Sequence, residues 1–128
     1  MTVPKIMVCD DDRDILEMLE AALEINGFEV ITEYSSVNVI DEIEKYNPDV
    51  LLIDLWMPII TGDEVIRKLR AEPDKNAIPV VAISASNDGE AVALDAGADY
   101  FVAKPFNIKV LVECLNRAAR KRGSSQVV

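Results

Sequence analysis

Val50-Leu51-Leu52-Ile53 followed by Asp54 is an uninterrupted apolar run closed by a single acid, and the rest of the chain is legible from it. The run lacks the alternation of a half-solvated strand and is too short for a buried helix. It reads as a strand covered on both faces, as in a parallel sheet. Similar segments at Lys5–Cys9, Phe28–Glu33, Ile78–Ile83 and Tyr100–Ala103 bring the strands to five. Amphipathic stretches fill the intervals, the pattern of an α/β domain. Ile15, Leu16, Leu19 and Leu23 share a helical face that stops at Asn26-Gly27. A second helix covers Ser36–Lys45 and ends before Asn47-Pro48, and a third follows Thr61-Gly62-Asp63-Glu64, which has capping-box spacing. A fourth, Ala-rich, covers Glu90–Ala96, and Ile108, Leu111, Val112 and Leu115 line the fifth.

The 128 residues, half of them hydrophobic, suffice for one domain with a core that needs no metal or disulfide staples. Residues 1–122 are expected to form it, with 123–128 a flexible tail or the start of a linker. No apolar run approaches the ~20 residues of a membrane span. The opening Met-Thr-Val-Pro-Lys carries no secretory signal, so a cytoplasmic protein without a membrane partner is expected. Cys9 and Cys114 fall on apolar segments and are expected to be free, buried and inert. The chain has no histidine, which removes the commonest general base, the usual zinc sites and every triad built on imidazole. A net charge of -10 argues against direct nucleic-acid binding. The cations Arg117, Arg120, Lys121 and Arg122 read as complements to a helix end.

Chemistry is concentrated after the strands. In open parallel sheets ligands bind at the carboxyl ends of strands, near the point where strand order reverses. Asp10-Asp11-Asp12 follows the first strand, Asp54 the third, Ser84 the fourth and Lys104 the fifth, and all converge on one rim. Glu33 ends the second strand but is carried away from the cluster, and Asp12 is expected to cap the first helix. Carboxylates held ~4 Å apart repel by about 4 kcal/mol per pair at an effective dielectric of 20, so the site needs a cation or a proton. An all-oxygen donor set selects Mg²⁺ or Mn²⁺, which leave coordination positions for phosphate oxygens. A lysine and a hydroxyl opposite the metal complete a clamp for a phosphoryl group, with Asp54 as the nucleophile.

At these positions the chain resembles the receiver domains of two-component response regulators, over residues 4–121. The resemblance rests on an ordered set: Asp10-Asp11, Asp54, Met57-Pro58, Gly62, Ser84-Ala85, Ala96-Gly97-Ala98 and Lys104-Pro105-Phe106. It implies a flavodoxin-like doubly wound sheet of five parallel strands, order 2-1-3-4-5, with five helices. It also implies a phosphorylation-dependent signalling switch: Asp54 accepts a phosphoryl group from a sensor histidine kinase, a phosphotransfer protein or a small phosphodonor. Asp11, Asp54 and the backbone carbonyl of Trp56 would bind Mg²⁺ or Mn²⁺ directly, with Asp10 acting through water. Ser84 would hydrogen-bond the phosphoryl oxygens, Lys104 would pair with them, and the bond before Pro105 would be cis. Ser84 and Phe101 would form the switch pair that alters a face for a downstream protein or a fused effector domain. Homodimers through the fourth helix, fifth strand and fifth helix are common in the family, and the charge pattern does not assign one here. Such a domain is not an enzyme beyond catalysing its own phosphorylation and self-dephosphorylation.

Three departures from the family pattern stand out. Phe101 lacks the hydroxyl of the tyrosine many members carry, Trp56 places a bulky ring where attacking water approaches, and Thr61 replaces a frequent acid. Trp56 predicts slow self-dephosphorylation. Three other functions compete with the switch. A metal-dependent aspartyl phosphohydrolase would need an acid/base aspartate where Trp56 stands. A flavodoxin-like nucleotide carrier would need a Ser/Thr/Gly-rich phosphate loop where Asp10-Asp11-Asp12 stands. A non-phosphorylated docking module is opposed by the intact acidic cluster.

Overall fold

The computed structural model describes residues 3–75 and 77–126, with side chains described as far as Lys121. Strands β1 (Lys5–Cys9), β2 (Glu29–Glu33), β3 (Val50–Asp54), β4 (Val80–Ser84) and β5 (Tyr100–Ala103) alternate with helices α1 (Arg13–Ile25), α2 (Val39–Tyr46), α3 (Gly62–Ala71), α4 (Gly89–Ala96) and α5 (Ile108–Gln126). The strands pair in parallel in the order β2-β1-β3-β4-β5. Strand order therefore reverses between β1 and β3, and the crevice there opens at the carboxyl edge.

Alternation along each strand sorts the core into two halves. Met7, Cys9, Leu51, Ile53, Val80 and Ala82 meet α2, α3 and α4 through Val39, Ile43, Val65, Ile66, Leu69 and Ala93. Ile6, Val8, Val50, Leu52, Val81 and Ile83 face α1 and α5 through Leu16, Leu19, Leu23, Leu111 and Leu115. Each valine, leucine, isoleucine or methionine among them contributes about 1.5–3 kcal/mol by leaving water. Because β1, β3 and β4 are buried on both faces, their sequences are continuous apolar runs.

Several local expectations are corrected. β2 begins at Glu29 and β4 at Val80, because the Phe28 N–H is spent on the Leu23 carbonyl (3.1 Å) and Pro79 has no N–H to offer a ladder. Phe28 and Ile78 are nevertheless buried, which is why they read as strand. The second helix starts at Val39, after a 3-10 turn over Ser36–Asn38. Asp12 does cap α1, its side chain accepting from the N–H groups of Asp14 and Ile15. Thr61 occupies the cap position of α3 without a side-chain hydrogen bond, so no capping box forms. The Gly62 N–H instead donates to the Leu55 carbonyl at 2.7 Å, pressing the helix start against the end of β3. Both cysteines are free, Cys9 buried but Cys114 only half-buried at the margin of the α5 stripe. The tail or linker expected at 123–128 is helical as far as Gln126, the end of α5, and 127–128 lie outside the described residues.

The amino ends of β4 and β5 are held by one arginine. The Arg70 guanidinium on α3 donates to the carbonyls of Ile78 (2.6 Å) and Gly97 (2.9 Å) and to Asp99 Oδ2 (2.8 Å). Asp99 also accepts the Val80 N–H at 2.8 Å and pairs with Lys121. Gly97 is required there twice over: its φ is +112°, and a Cβ would lie 2.9 Å from Arg70 Cγ. Arg70→Met is expected to strand these acceptors and lower stability by about 2–3 kcal/mol, read from the urea midpoint. Metal-dependent behaviour at the opposite edge should be unchanged.

Candidate functional site

Strand register builds the site. Cys9 is paired with Ile53, so the next residues, Asp10 and Asp54, are neighbours at the carboxyl edge. Asp54 is paired with Ile83 and Ser84 with Ala103, which sets Ser84 and then Lys104 beside them. One carboxylate oxygen from each of Asp10, Asp11 and Asp54 lies within 4.8 Å of the others. Asp10 and Asp54 are buried, at 1% and 6% exposure, whereas Asp11 is exposed. Lys104 Nζ reaches across from β5 to Asp10 Oδ2 at 3.2 Å and Asp54 Oδ1 at 3.4 Å. Asp10 is further fixed by Oδ1 accepting the Asp12 N–H at 3.0 Å and by its own N–H donating to the Glu33 carbonyl at 3.2 Å. Glu33 itself stays out of the cluster, its carboxylate accepting the Ser35 N–H at 2.9 Å.

Three carboxylates against one ammonium leave the site short of positive charge. Burial raises the Asp54 carboxyl from 3.8 to about 6, with Lys104 pulling it down and Asp10 and Asp11 pushing it up. Burial alone would lower Lys104, but the carboxylates of Asp10 and Asp54 outweigh it and hold the ammonium above its ordinary value. A small divalent cation answers that deficit. The donor set is all oxygen and includes two buried carboxylates, and oxygens already within 4.8 Å of one another need only small side-chain movements to reach a metal bound at ~2.1 Å. The residues therefore fit Mg²⁺ or Mn²⁺.

The other predicted residues take up more varied positions. Ser84 is fully buried, its hydroxyl accepting the Ser86 N–H at 3.0 Å while its carbonyl accepts the Lys104 N–H at 2.9 Å. The Lys104-Pro105 bond is cis. Phe101 is half-buried, and a Cβ on Gly89 would lie 3.0 Å from its ring and 2.9 Å from Ser84 Cβ. Gly89, which the sequence did not single out, is thus the point where α4 meets both. Trp56 is 50% exposed on the β3–α3 loop. That loop must also hug β3, since a Cβ on Gly62 would lie 2.3 Å from the Asp54 carbonyl oxygen.

Two features of the loop have no signal in the sequence. Ile59 has a φ of +73° with its side chain 86% exposed. The Ser36 hydroxyl, from beyond β2, donates to the Pro58 carbonyl (3.0 Å) and accepts the Ile60 N–H (3.3 Å). Contacts 22 and 24 residues apart leave no local pattern to read.

The family model for the response regulator receiver domain matches residues 6–116. This chain belongs to that family. Receiver domains work with histidine kinases in two-component phosphorelay signalling and are not conventional enzymes. Among curated proteins, this receiver domain is 37% identical over 127 residues to the transcriptional regulatory protein PrrA of Mycobacterium tuberculosis, a match covering 98% of this chain and 54% of that protein. It is 36% identical over 117 residues to the response regulator MprA of Mycobacterium avium, covering 91% of this chain and 51% of that one. The chain thus spans about half the length of the curated relatives it matches. Among solved structures, the receiver domain of Francisella response regulator 1452 superposes with a TM-score of 0.84 at 29% identity, covering 92% of this chain and 98% of that one. The receiver domain of a sensor histidine kinase from Pseudomonas aeruginosa has a TM-score of 0.83 at 25% identity, covering 92% of this chain and 98% of that chain, and holds a magnesium ion in its active site cleft.

The raised Asp54 carboxyl has a measurable consequence. The folded chain holds that proton more tightly than the unfolded one, so this group favours the fold in acid. Its contribution is lost as pH climbs from 3.8 through about 6. Without divalent metal, Asp54→Asn is expected to be more stable than the parent at pH 7.5 by about 2–3 kcal/mol. The gap should close near pH 4, as measured by urea unfolding in a chelating buffer.

Proposed function

We propose that this receiver domain is a phosphorylation-dependent switch in which Asp54 accepts a phosphoryl group from a histidine kinase or phosphotransfer protein. The observation that supports it most directly is Lys104 bridging two buried carboxylates, Asp10 and Asp54, at the edge where the strand order reverses. In the transfer an Asp54 oxygen forms a bond to phosphorus as the donor's phosphorus–nitrogen bond breaks, leaving the donor imidazole to take up a proton. Asp11, Asp54 and the Trp56 carbonyl would hold Mg²⁺ or Mn²⁺, with Asp10 acting through water. When bound, the metal neutralises charge on the phosphoryl oxygens.

The side chains divide the remaining work. Lys104, already held between Asp10 and Asp54, follows the charge onto the new phosphoryl group. Ser84 gives up its bond to the Ser86 N–H and turns its hydroxyl to a phosphoryl oxygen. Gly89 is the point where α4 meets both Ser84 and Phe101, so the change at Ser84 is passed there to the Phe101 ring and to the β4, α4 and β5 surface. The output goes to a protein partner or a fused effector domain, with residues 1–122 as the receiver and α5 continuing to Gln126. With both cysteines free, a reducing cytoplasm suits this reading. Among the described residues no helix is long and apolar enough to cross a membrane.

Incubation with Mg²⁺ and a small phosphodonor is expected to add one phosphoryl group by intact mass. Asp54→Asn and a chelator should each abolish it. Failure to gain mass from both a small donor and a phosphorylated histidine protein, with the chain folded, would overturn the assignment. Trp56, half-exposed and two residues beyond the acceptor, is expected to hinder the approach of water to it. Trp56→Asn is expected to speed loss of the phosphoryl group roughly tenfold, about 1.4 kcal/mol of barrier.

A further inference from the structure

Resting on the reading of the Trp56 carbonyl as a metal ligand, we propose that Ser36 is a positioning residue for the Mg²⁺ site, acting through a strained turn at Ile59 that its hydroxyl clamps. Ser36 is 4% exposed and lies in the 3-10 turn before α2, yet neither that turn nor α2 uses a side-chain cap. Its hydroxyl is committed instead to the β3–α3 loop, where it donates to the Pro58 carbonyl and accepts from the Ile60 N–H. The same two groups bond each other at 2.9 Å, closing a three-residue turn centred on Ile59. With φ at +73° this is the rarer, strained hand of γ-turn, and a β-branched residue is the worst suited to it.

Nothing about Ile59 itself explains the conformation, since its side chain is 86% exposed and packs into no core. The turn is held from outside. Ser36 fixes its two peptide groups, and the Gly62 N–H bond to the Leu55 carbonyl closes the loop at its base. Met57, buried at 4% exposure, pins the intervening backbone to the core. The peptide that carries the Trp56 carbonyl is therefore fixed between β3 on one side and the clamped turn on the other. Released from Ser36, residues 58–60 are free to relax out of the left-handed region. That relaxation shifts the backbone leading back to Trp56.

Titration of the full chain with MgCl₂, followed by fluorescence of Trp56, the sole tryptophan, tests the role apart from phosphorylation. Ser36→Ala is expected to weaken Mg²⁺ binding about three- to tenfold, the effect of losing one clamp on a strained turn. Ile59→Gly, which removes the penalty of the left-handed conformation, is expected to bind Mg²⁺ as the parent does. Ser36→Ala combined with Ile59→Gly should regain most of the lost affinity. A role confined to core stability would lower the urea midpoint of Ser36→Ala without that rescue. Parental affinity in Ser36→Ala, or no rescue by glycine, overturns the proposal. Should Ser36→Ala not fold, the isosteric pair Ser36→Thr and Ser36→Val replaces it, with tighter binding expected in the variant that keeps the hydroxyl and equal binding overturning the role. A parent chain that binds no Mg²⁺ at all overturns the metal-site reading itself, and this inference with it.

Discussion

Charge imbalance at the carboxyl edge of the sheet is the constraint on which the rest of this protein turns. Three carboxylates converge there, two of them buried, and Lys104 offers a single compensating charge. A site built this way is costly, and burial above all pushes Asp54 up, against the pull of Lys104 and with a smaller push from Asp10 and Asp11. The arrangement is tolerated because the two core halves beneath it are continuous and apolar, and their burial outweighs the local electrostatic cost. The same cost makes the site responsive. Anything that brings positive charge or removes a proton changes the balance between the strands that carry these residues.

The two ends of the sheet are specialised accordingly. At the amino end Arg70 and Asp99 close β4 and β5 with short, mutually satisfied hydrogen bonds. At the carboxyl end the connections are polar loops, in one of which the Ser84 hydroxyl accepts the Ser86 N–H. Glycines mark where loops must approach closely: Gly62 against the Asp54 carbonyl and Gly89 against Ser84 and Phe101. A rigid base with an adaptable rim is a physical route by which a change at one side chain can be felt across β4 and β5 without unfolding the domain.

Much of this was legible in the chain itself, for reasons of periodicity. Burial on both faces forces β1, β3 and β4 to be unbroken apolar runs, and the first polar residue after each run then marks the functional edge. Asp10, Asp54 and Ser84 are placed at the carboxyl edge by that rule, while Lys104 follows β5, which is buried only in part. The errors lie where local pattern and backbone hydrogen bonding diverge. Phe28 and Ile78 look like strand because they are buried, yet their backbones serve a helix end and a turn. Thr61 and Glu64 have the spacing of a capping box, but the close approach of Gly62 to β3 settles how that helix begins.

Class of fold, strand-end residues and the chemical character of the cluster are readable from the chain, because each follows from side-chain polarity at fixed spacing. Tertiary structure alone decided the register that brings Asp10 beside Asp54 and the reach of Lys104 to both. It alone set Ser36 against a turn it never approaches in sequence. Those are relations between distant segments, fixed by how two faces of a sheet fill with side chains, and no local pattern encodes them.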